Sequence, residues 1–331
     1  MPAIEVEGVS KLFRQHKRFS GFRGALRTLV TRQYTEVAAV REVSFAIEAG
    51  EAVGYLGPNG AGKSTMIKMM TGILVPSSGE VSVLGRTPHR ERQHNAREIG
   101  VVFGQRTQLW WDLPVIESFK LNQAIYGVAP ARFAENLKTM SELLDLTPFI
   151  DRAVRQLSLG QRMRAEIAMA LLHDPKILFL DEPTIGLDVV AKDAVRKFLA
   201  TINRERGTTI ILTTHDLQDI EHICPRLIMV DHGQKIFDSE LKALRAALGS
   251  SRRLTLQFDT DPGELGLRTA RLVTDEGLLK HYALDREEVS LIDVLGEIGN
   301  GRGLKDVALN EPTIEEVIRT YYQGRGAKAA A

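Results

Sequence analysis

The sequence predicts a mixed α/β fold, and three of its features carry that prediction. Short apolar runs (EAVGYLG, EIGVVFG, KILFLDE, TTIILTT and PRLIMVD) alternate with helix-like stretches. Two of them, KILFLDE and TTIILTT, are continuously apolar, the pattern of central parallel strands buried on both faces. A glycine-rich loop follows the first of the five, where a strand passes into a helix.

Taken in order, the early strands IEVEGV, VSFAIEA and EVSVLG alternate apolar with polar residues, which suits a smaller antiparallel sheet with one solvated face. Over about 107–160 the strand pattern lapses. Phe133, Leu137, Met140, Leu143 and Leu144 fall there at helical spacing, so a helical subdomain is expected within the α/β core. Beyond 234–239, LKALRAALG reads as a helix, and RRLTLQFD, TARLVTD and HYALD as strands of a small α+β domain. In EPTIEEVIRTYY, Thr313 and Glu316 have capping-box spacing, and Ile314, Val317, Ile318 and Tyr321 share a helical face. The expected division is 1–240, then 241–325, then a disordered tail at 326–331.

Composition narrows the partners. At 331 residues, 44% hydrophobic and 26% charged, the chain can bury a sizeable core. Lys plus Arg number 43 against 42 Asp plus Glu, so a nucleic-acid binder with a global basic excess is excluded and any charged partner is met locally. The single cysteine, Cys224, forms no internal disulfide and has no metal-ligand spacing around it, which suits a buried thiol in a reducing compartment. The opening MPAIEVEGVS has no secretory pattern, and no apolar run reaches the roughly 18–20 residues of a membrane span, so a protein soluble by itself is expected.

The strongest chemical motif is GPNGAGKST at 57–65, matching G-x-x-x-x-G-K-[ST] between a strand and a helix. Gly57, Pro58, Asn59, Gly60, Ala61 and Gly62 let the backbone wrap closely, so that consecutive N–H groups and the helix N-terminus point at phosphate charge. Lys63 supplies a point charge to the β and γ phosphates of ATP, Ser64 offers a hydroxyl to Mg²⁺, and Thr65 closes the motif. About 120 residues on, ILFLDEPT ends a buried strand in two adjacent carboxylates. Successive strand side chains point to opposite sides, so Asp181 is placed to hold Mg²⁺ and Glu182 to polarise an attacking water. Alone, the pair could equally be solvated turn residues; beside the phosphate loop it reads as catalytic.

With these residues in order, the chain resembles the nucleotide-binding subunit of an ATP-binding cassette (ABC) transporter over about 4–239. That resemblance implies a P-loop NTPase core with an antiparallel β subdomain and a helical ABC subdomain. LSLGQRMR at 157–164 resembles the family signature, which implies that Ser158, Gly160 and Gln161 bind the γ-phosphate held by a second subunit in a head-to-tail homodimer or paired ATPase. Leu159 stands in place of the first glycine of the family's pair, where a branched side chain limits backbone freedom. The resemblance further implies that Gln105 links the metal site to the helical subdomain, that Asp188 communicates between the two sites, that His215 contacts the γ-phosphate, and that Phe13 stacks on adenine.

Two stretches read as partner surfaces. Between Lys11 and Glu36, Phe19, Phe22, Leu26, Leu29 and Val30 fall at helical spacing among Arg14, Lys17, Arg18, Arg23, Arg27 and Arg32. A basic amphipathic helix of this kind suits an anionic membrane surface, a permease, or packing on its own domain. In QLWWDLPVIESF, Trp110 and Trp111 read as an interface anchor or as local core, in the region where the family receives its membrane subunit. Together these features resemble ABC-2 type exporter subunits, implying a peripheral ATPase at the cytoplasmic face of the cell membrane that drives polytopic permease subunits. Drug-like efflux and polysaccharide or glycolipid export are both expected substrate classes. A soluble ABC ATPase acting on ribosomes would usually carry two phosphate loops; one is present.

Overall fold

The computed structural model describes residues 2–16, 34–103, 106–247, 252–284, 290–299 and 303–310, with Glu315 and Ile318. They fall into two compact units, Met1–Ser239 and Glu240–Ala331.

In the first unit, β1 (Ile4–His16) lies between β2 (Tyr34–Ile47) and β4 (Ser78–Val83) in a three-stranded antiparallel sheet, with Ile4 opposite both Ile47 and Val83. The second sheet has six strands in the order β5 (Ile99–Phe103), β6 (Ile177–Asp181), β7 (Thr209–Thr213), β3 (Ala52–Leu56), β8 (Arg226–Asp231) and β9 (Gln234–Glu240). All five apolar runs read from the sequence become its parallel strands, β3 and β5 to β8. β3 and β7 are buried at every position because both their faces are covered. Helix α1 (Lys63–Met70) buries Met66, Ile67, Met69 and Met70 in one core shared with Val6, Val40 and Val43 of the antiparallel sheet and Val53, Phe179 and Ile211 of the parallel one. Burial on two sides thus fixes the helix that carries the phosphate loop.

Register sets the position of the chemistry. Phe103 on β5, Asp181 on β6 and Thr213 on β7 are direct neighbours at the carboxyl ends of their strands, next to the end of β3 from which the glycine loop leaves. This convergence is the crevice where open α/β sheets bind ligands.

After α2 (Arg92–Glu98) and β5, the helical segment comprises α3 (Val115–Tyr126), α4 (Pro130–Leu143), a 3₁₀ turn at Val154–Gln156 and α5 (Leu159–Leu171). Of the five apolar positions read there, Phe133, Met140 and Leu144 are buried but Leu143 is exposed. The buried face of α4 takes Asn136 instead, whose side-chain amide donates to the Leu172 carbonyl at 3.0 Å. Helices α6 (Val189–Arg206) and α7 (Leu217–Ile223) complete the unit. Among the described residues no helix is long and apolar enough to cross a membrane.

On either side of the expected amphipathic helix the chain is strand, 11–16 in β1 and 34–36 in β2, cross-paired from Lys11–Val40 to His16–Tyr34. The helix positions themselves, Phe19, Phe22, Leu26, Leu29 and Val30, lie outside the described residues, as does most of EPTIEEVIRTYY.

The second unit opens with α8 (Leu241–Ala247) and is an antiparallel sheet in the order β11 (Arg271–Asp275), β12 (Leu279–Leu284), β10 (Arg252–Phe258), β13 (Leu304–Asn310). Helix α9 (Leu291–Ile298) buries Val294 and Ile298 against Leu254, Leu256, Phe258, Tyr282 and Leu284. The sequence reading found β10, β11 and β12 but neither α9 nor β13. Lys280 of β12 is buried and held by both Asp275 oxygens at 2.7 Å and by Asp261 at 3.2 Å.

Candidate functional site

The glycine loop joins β3 to α1 with no room for side chains at two points. A Cβ on Gly57 would meet the Val230 carbonyl oxygen at 2.3 Å, and one on Gly62, at φ 99°, the Ala39 carbonyl oxygen at 2.3 Å. Lys63 turns its ammonium into the loop, donating to the Gly57 carbonyl at 2.6 Å and the Pro58 carbonyl at 3.2 Å. Burial pulls this ammonium below the usual lysine value, while the charges of Glu182 and Asp181 hold it up. Asn59, Gly60, Gly62, Lys63, Ser64 and Thr65 line a cavity of about 520 Å³ together with Asp181 and Glu182.

The two carboxylates diverge as strand alternation requires. Asp181 accepts from Ser64 Oγ at 3.0 Å and from Thr213 Oγ1 at 2.6 Å. This hydroxyl and carboxylate form a hard-oxygen pair that fits Mg²⁺, an ion that takes few protein ligands and completes its shell with phosphate and water. Glu182 leaves the strand in the left-handed region, φ 57°, with its N–H donated to the Thr213 carbonyl at 2.8 Å. A non-glycine residue in that region is strained, and here the strain sets the carboxylate against His215, whose Nδ1 lies 2.9 Å from Glu182 Oε2. An acceptor for a water proton, on the wall of the cavity, and an imidazole thus stand together.

A buried network behind them escaped the sequence reading. Asp219 accepts from Thr184 Oγ1, from Thr214 Oγ1 at 3.0 Å and from Arg196 Nε at 2.6 Å. Asp216 accepts from Lys192 at 2.6 Å. These bonds tie the loop after Glu182, the helix α6 and the loop carrying His215 into one piece. Their signal lay in the polar residues placed just beyond apolar strands, but their partners are 23 and 35 residues apart in the chain.

The remaining predicted residues sit elsewhere. Ser158 is the N-cap of α5, its Oγ accepting from the Gln161 N–H at 3.2 Å while Gln161 Oε1 accepts from the Ser158 N–H at 3.0 Å, a reciprocal capping box. Leu159 takes no left-handed geometry; its effect is steric, since a Cβ on Gly186 would lie 2.6 Å from Leu159 Cδ2. Gly160 has Ala191 Cβ 3.3 Å from its own Cβ position. Asp188 caps α6, accepting from the Ala191 N–H at 2.8 Å. Phe13, on β1, is half-exposed beside the Lys11 ammonium, 5.4 Å from its ring centroid. Gln105 lies outside the described residues. Trp110 and Trp111 are 57% and 50% exposed, so neither fills a core. Cys224 is buried, and burial pushes its thiol up, as expected of an inert structural cysteine.

A phosphate loop, a strand-end Asp–Glu pair and a crevice at the strand ends define a P-loop nucleotide hydrolase. The family model for ABC transporters matches residues 40–185. The chain is 35% identical over 208 residues to the ABC transporter ATP-binding protein NatA of Bacillus subtilis, covering 63% of this chain and 84% of NatA. It is 37% identical to the probable multidrug ABC transporter ATP-binding protein YbhF of Escherichia coli, over 66% of this chain but 37% of YbhF. It is 35% identical to the Nod factor export ATP-binding protein I of Rhizobium sp., over 65% of this chain and 70% of that protein. Among solved structures, a dimeric ATP-binding cassette in a post-hydrolysis state with ADP and Pi is similar at a TM-score of 0.60 and 25% identity, covering 72% of this chain and 98% of the cassette. The chain belongs to the ABC transporter ATP-binding family, and is an ATPase subunit of that kind.

Proposed function

We propose that this chain is the ATP-hydrolysing subunit of an ABC-2 type exporter, working as a head-to-tail pair of cassettes on separate polytopic membrane subunits at the cytoplasmic face of the cell membrane. One observation carries the paired arrangement. Lys63, Ser64, Asp181 and Glu182 share one cavity, whereas Ser158, Gly160 and Gln161 do not line it and present a capped helix end elsewhere. A second copy would bring that end to the first copy's γ-phosphate.

In this reading the backbone of 57–62 and Lys63 bind the ATP phosphates, Glu182 accepts the proton of the attacking water, and His215 holds Glu182 and the γ-phosphate end in register. Ser64 and Asp181, with Gln105, would hold Mg²⁺, which supplies charge neutralisation at the phosphates. Asp188 and Gly186 form the contact between half-sites, and Phe13 offers its exposed face to adenine. Residues 1–240 form the ATPase domain and 241–325 a small accessory α+β domain.

The multidrug relative supports a drug-like or other hydrophobic substrate; the Nod factor relative supports a second reading, a polysaccharide or glycolipid exporter. The test is capture of a tagged Glu182→Gln variant from its native membranes, solubilised gently with Mg·ATP, followed by mass spectrometry. Recovery of a polytopic membrane protein is expected. Recovery of ribosomal or other soluble proteins alone would overturn the exporter reading.

A further inference from the structure

Helix α5 carries a carboxylate that takes no part in the phosphate chemistry. Glu166 lies eight residues, about 12 Å of helix, beyond Ser158 and is 3% exposed, so its oxygens need protein donors. One short segment supplies them. Thr107 Oγ1 donates to Glu166 Oε1, and the Gln108 N–H lies 3.0 Å from Oε1 and 3.1 Å from Oε2. The Leu109 N–H donates in turn to Thr107 Oγ1 at 3.2 Å. One turn back on the same helix face, the Arg162 guanidinium lies 5.9 Å from the centroid of the Trp111 ring.

The other end of the segment is fastened to the nucleotide core. Arg106 N–H donates to the Phe103 carbonyl at 3.0 Å, and Gln108 Nε2 to the Val101 carbonyl at 2.5 Å, both on β5. Residues 106–111 are therefore a strap between β5 and α5 that ends in two exposed tryptophans, with the Trp110 N–H donated to Ser118 Oγ on α3 at 3.0 Å.

We infer that Glu166 is a positioning residue: it makes the 107–111 segment move with α5, so that a displacement of the Ser158 end by ATP reaches Trp110 and Trp111. The helix is a rigid rod, and a buried carboxylate cannot shed its donors without being left unsatisfied. When α5 shifts relative to β5, the bonds that hold are those to Glu166, and the strap follows the helix. The inference rests on the proposed engagement of Ser158 with the ATP of a second copy.

Trp110 and Trp111 are the two tryptophans of the chain, so intrinsic tryptophan emission reads this segment alone. The full chain bearing Glu182→Gln is titrated with Mg·ATP and, as a control, Mg·ADP, following particle mass by light scattering and emission in parallel. The expected result is a dimer and an emission change with Mg·ATP. Adding Glu166→Gln keeps the dimer but shrinks the emission change about fivefold or more, the lower end of an ordinary coupling factor. Thr107→Val, which leaves the amide bonds in place, gives a smaller reduction and serves if Glu166→Gln fails to fold. An undiminished emission change in the Glu166→Gln dimer overturns the inference. So does loss of the dimer in Glu166→Gln with no response to Thr107→Val, which makes Glu166 a stability residue. If the Glu182→Gln parent stays monomeric, the shared site fails and the inference falls with it.

Discussion

The phosphate cradle and the N-terminal end of α5 are built on opposite plans. In the cradle, groups from distant parts of the chain satisfy one another: Ser64 and Thr213 close on Asp181, His215 on Glu182, and Lys63 on its own loop. At the α5 end, Ser158 and Gln161 satisfy only each other, and beside Asp188 the side chains of Val189 and Val190 stand out in solvent. The side chains of the cradle thus find their partners within one chain. The α5 end caps itself and borders exposed apolar residues, the feature on which the proposed pairing with a second copy rests.

That contrast breaks most sharply at Glu182. Glu182→Gln keeps the size and one acceptor of the side chain but not its basicity, so kcat should fall by about 10²–10⁴-fold, the usual worth of a general base, while ATP affinity stays close to that of the parent. Steady-state phosphate release with nucleotide titration checks it, and near-parent turnover would remove Glu182 from the chemistry.

Next in size is the network behind the cradle. Arg196→Met removes the cation that faces the fully buried Asp219 and should destabilise the unit by about 3–5 kcal/mol, read as a fall in Tm. The change also bears on acid stability. Burial pushes the Asp216 carboxyl up, but Lys192 and Arg196 outweigh it and hold the group below the usual aspartate range. A carboxylate held low contributes stability above its unfolded pKa, near 3.9, and loses it as pH falls through the lower folded value. Arg196→Met should therefore flatten that acid limb in a pH series of denaturant melts. At the other region, Ser158→Ala costs about 1 kcal/mol as a lost cap. Its larger signature is functional: ATP-dependent pairing should weaken while one chain's affinity for ATP is retained.

How much of this was legible follows the same division. The five buried strands, the glycine loop and the Asp–Glu pair are local patterns, and local patterns survive in a sequence. Strand alternation even assigned Asp181 and Glu182 to different neighbours before any contact was visible. What escaped was long-range or compensating. Asn136 occupies a core position because its amide finds the Leu172 carbonyl, and Glu166 is buried because Thr107 and Gln108 supply donors. Neither a polar residue on an apolar face nor a charge within a signature helix announces its partner 36 or 58 residues away. Helix α9 and strand β13 each depend on the other elements of the second unit for burial.

The smallest effect concerns Leu159, where backbone freedom was expected to matter and side-chain contact matters instead. Gly186 stands at φ 70°, and a Cβ there would come within 2.6 Å of Leu159 Cδ2. Gly186→Ala should cost about 1–2 kcal/mol from the left-handed conformation alone, plus a share for crowding against Leu159. Leu159→Gly removes that crowding but not the conformational share. The double-mutant cycle should then show a coupling of about 0.5–1 kcal/mol in denaturant melts, with the double variant more stable than the two single costs predict. Strict additivity would mean that the leucine does not rest on Gly186, and that the loop before Asp188 takes its position without help from the signature.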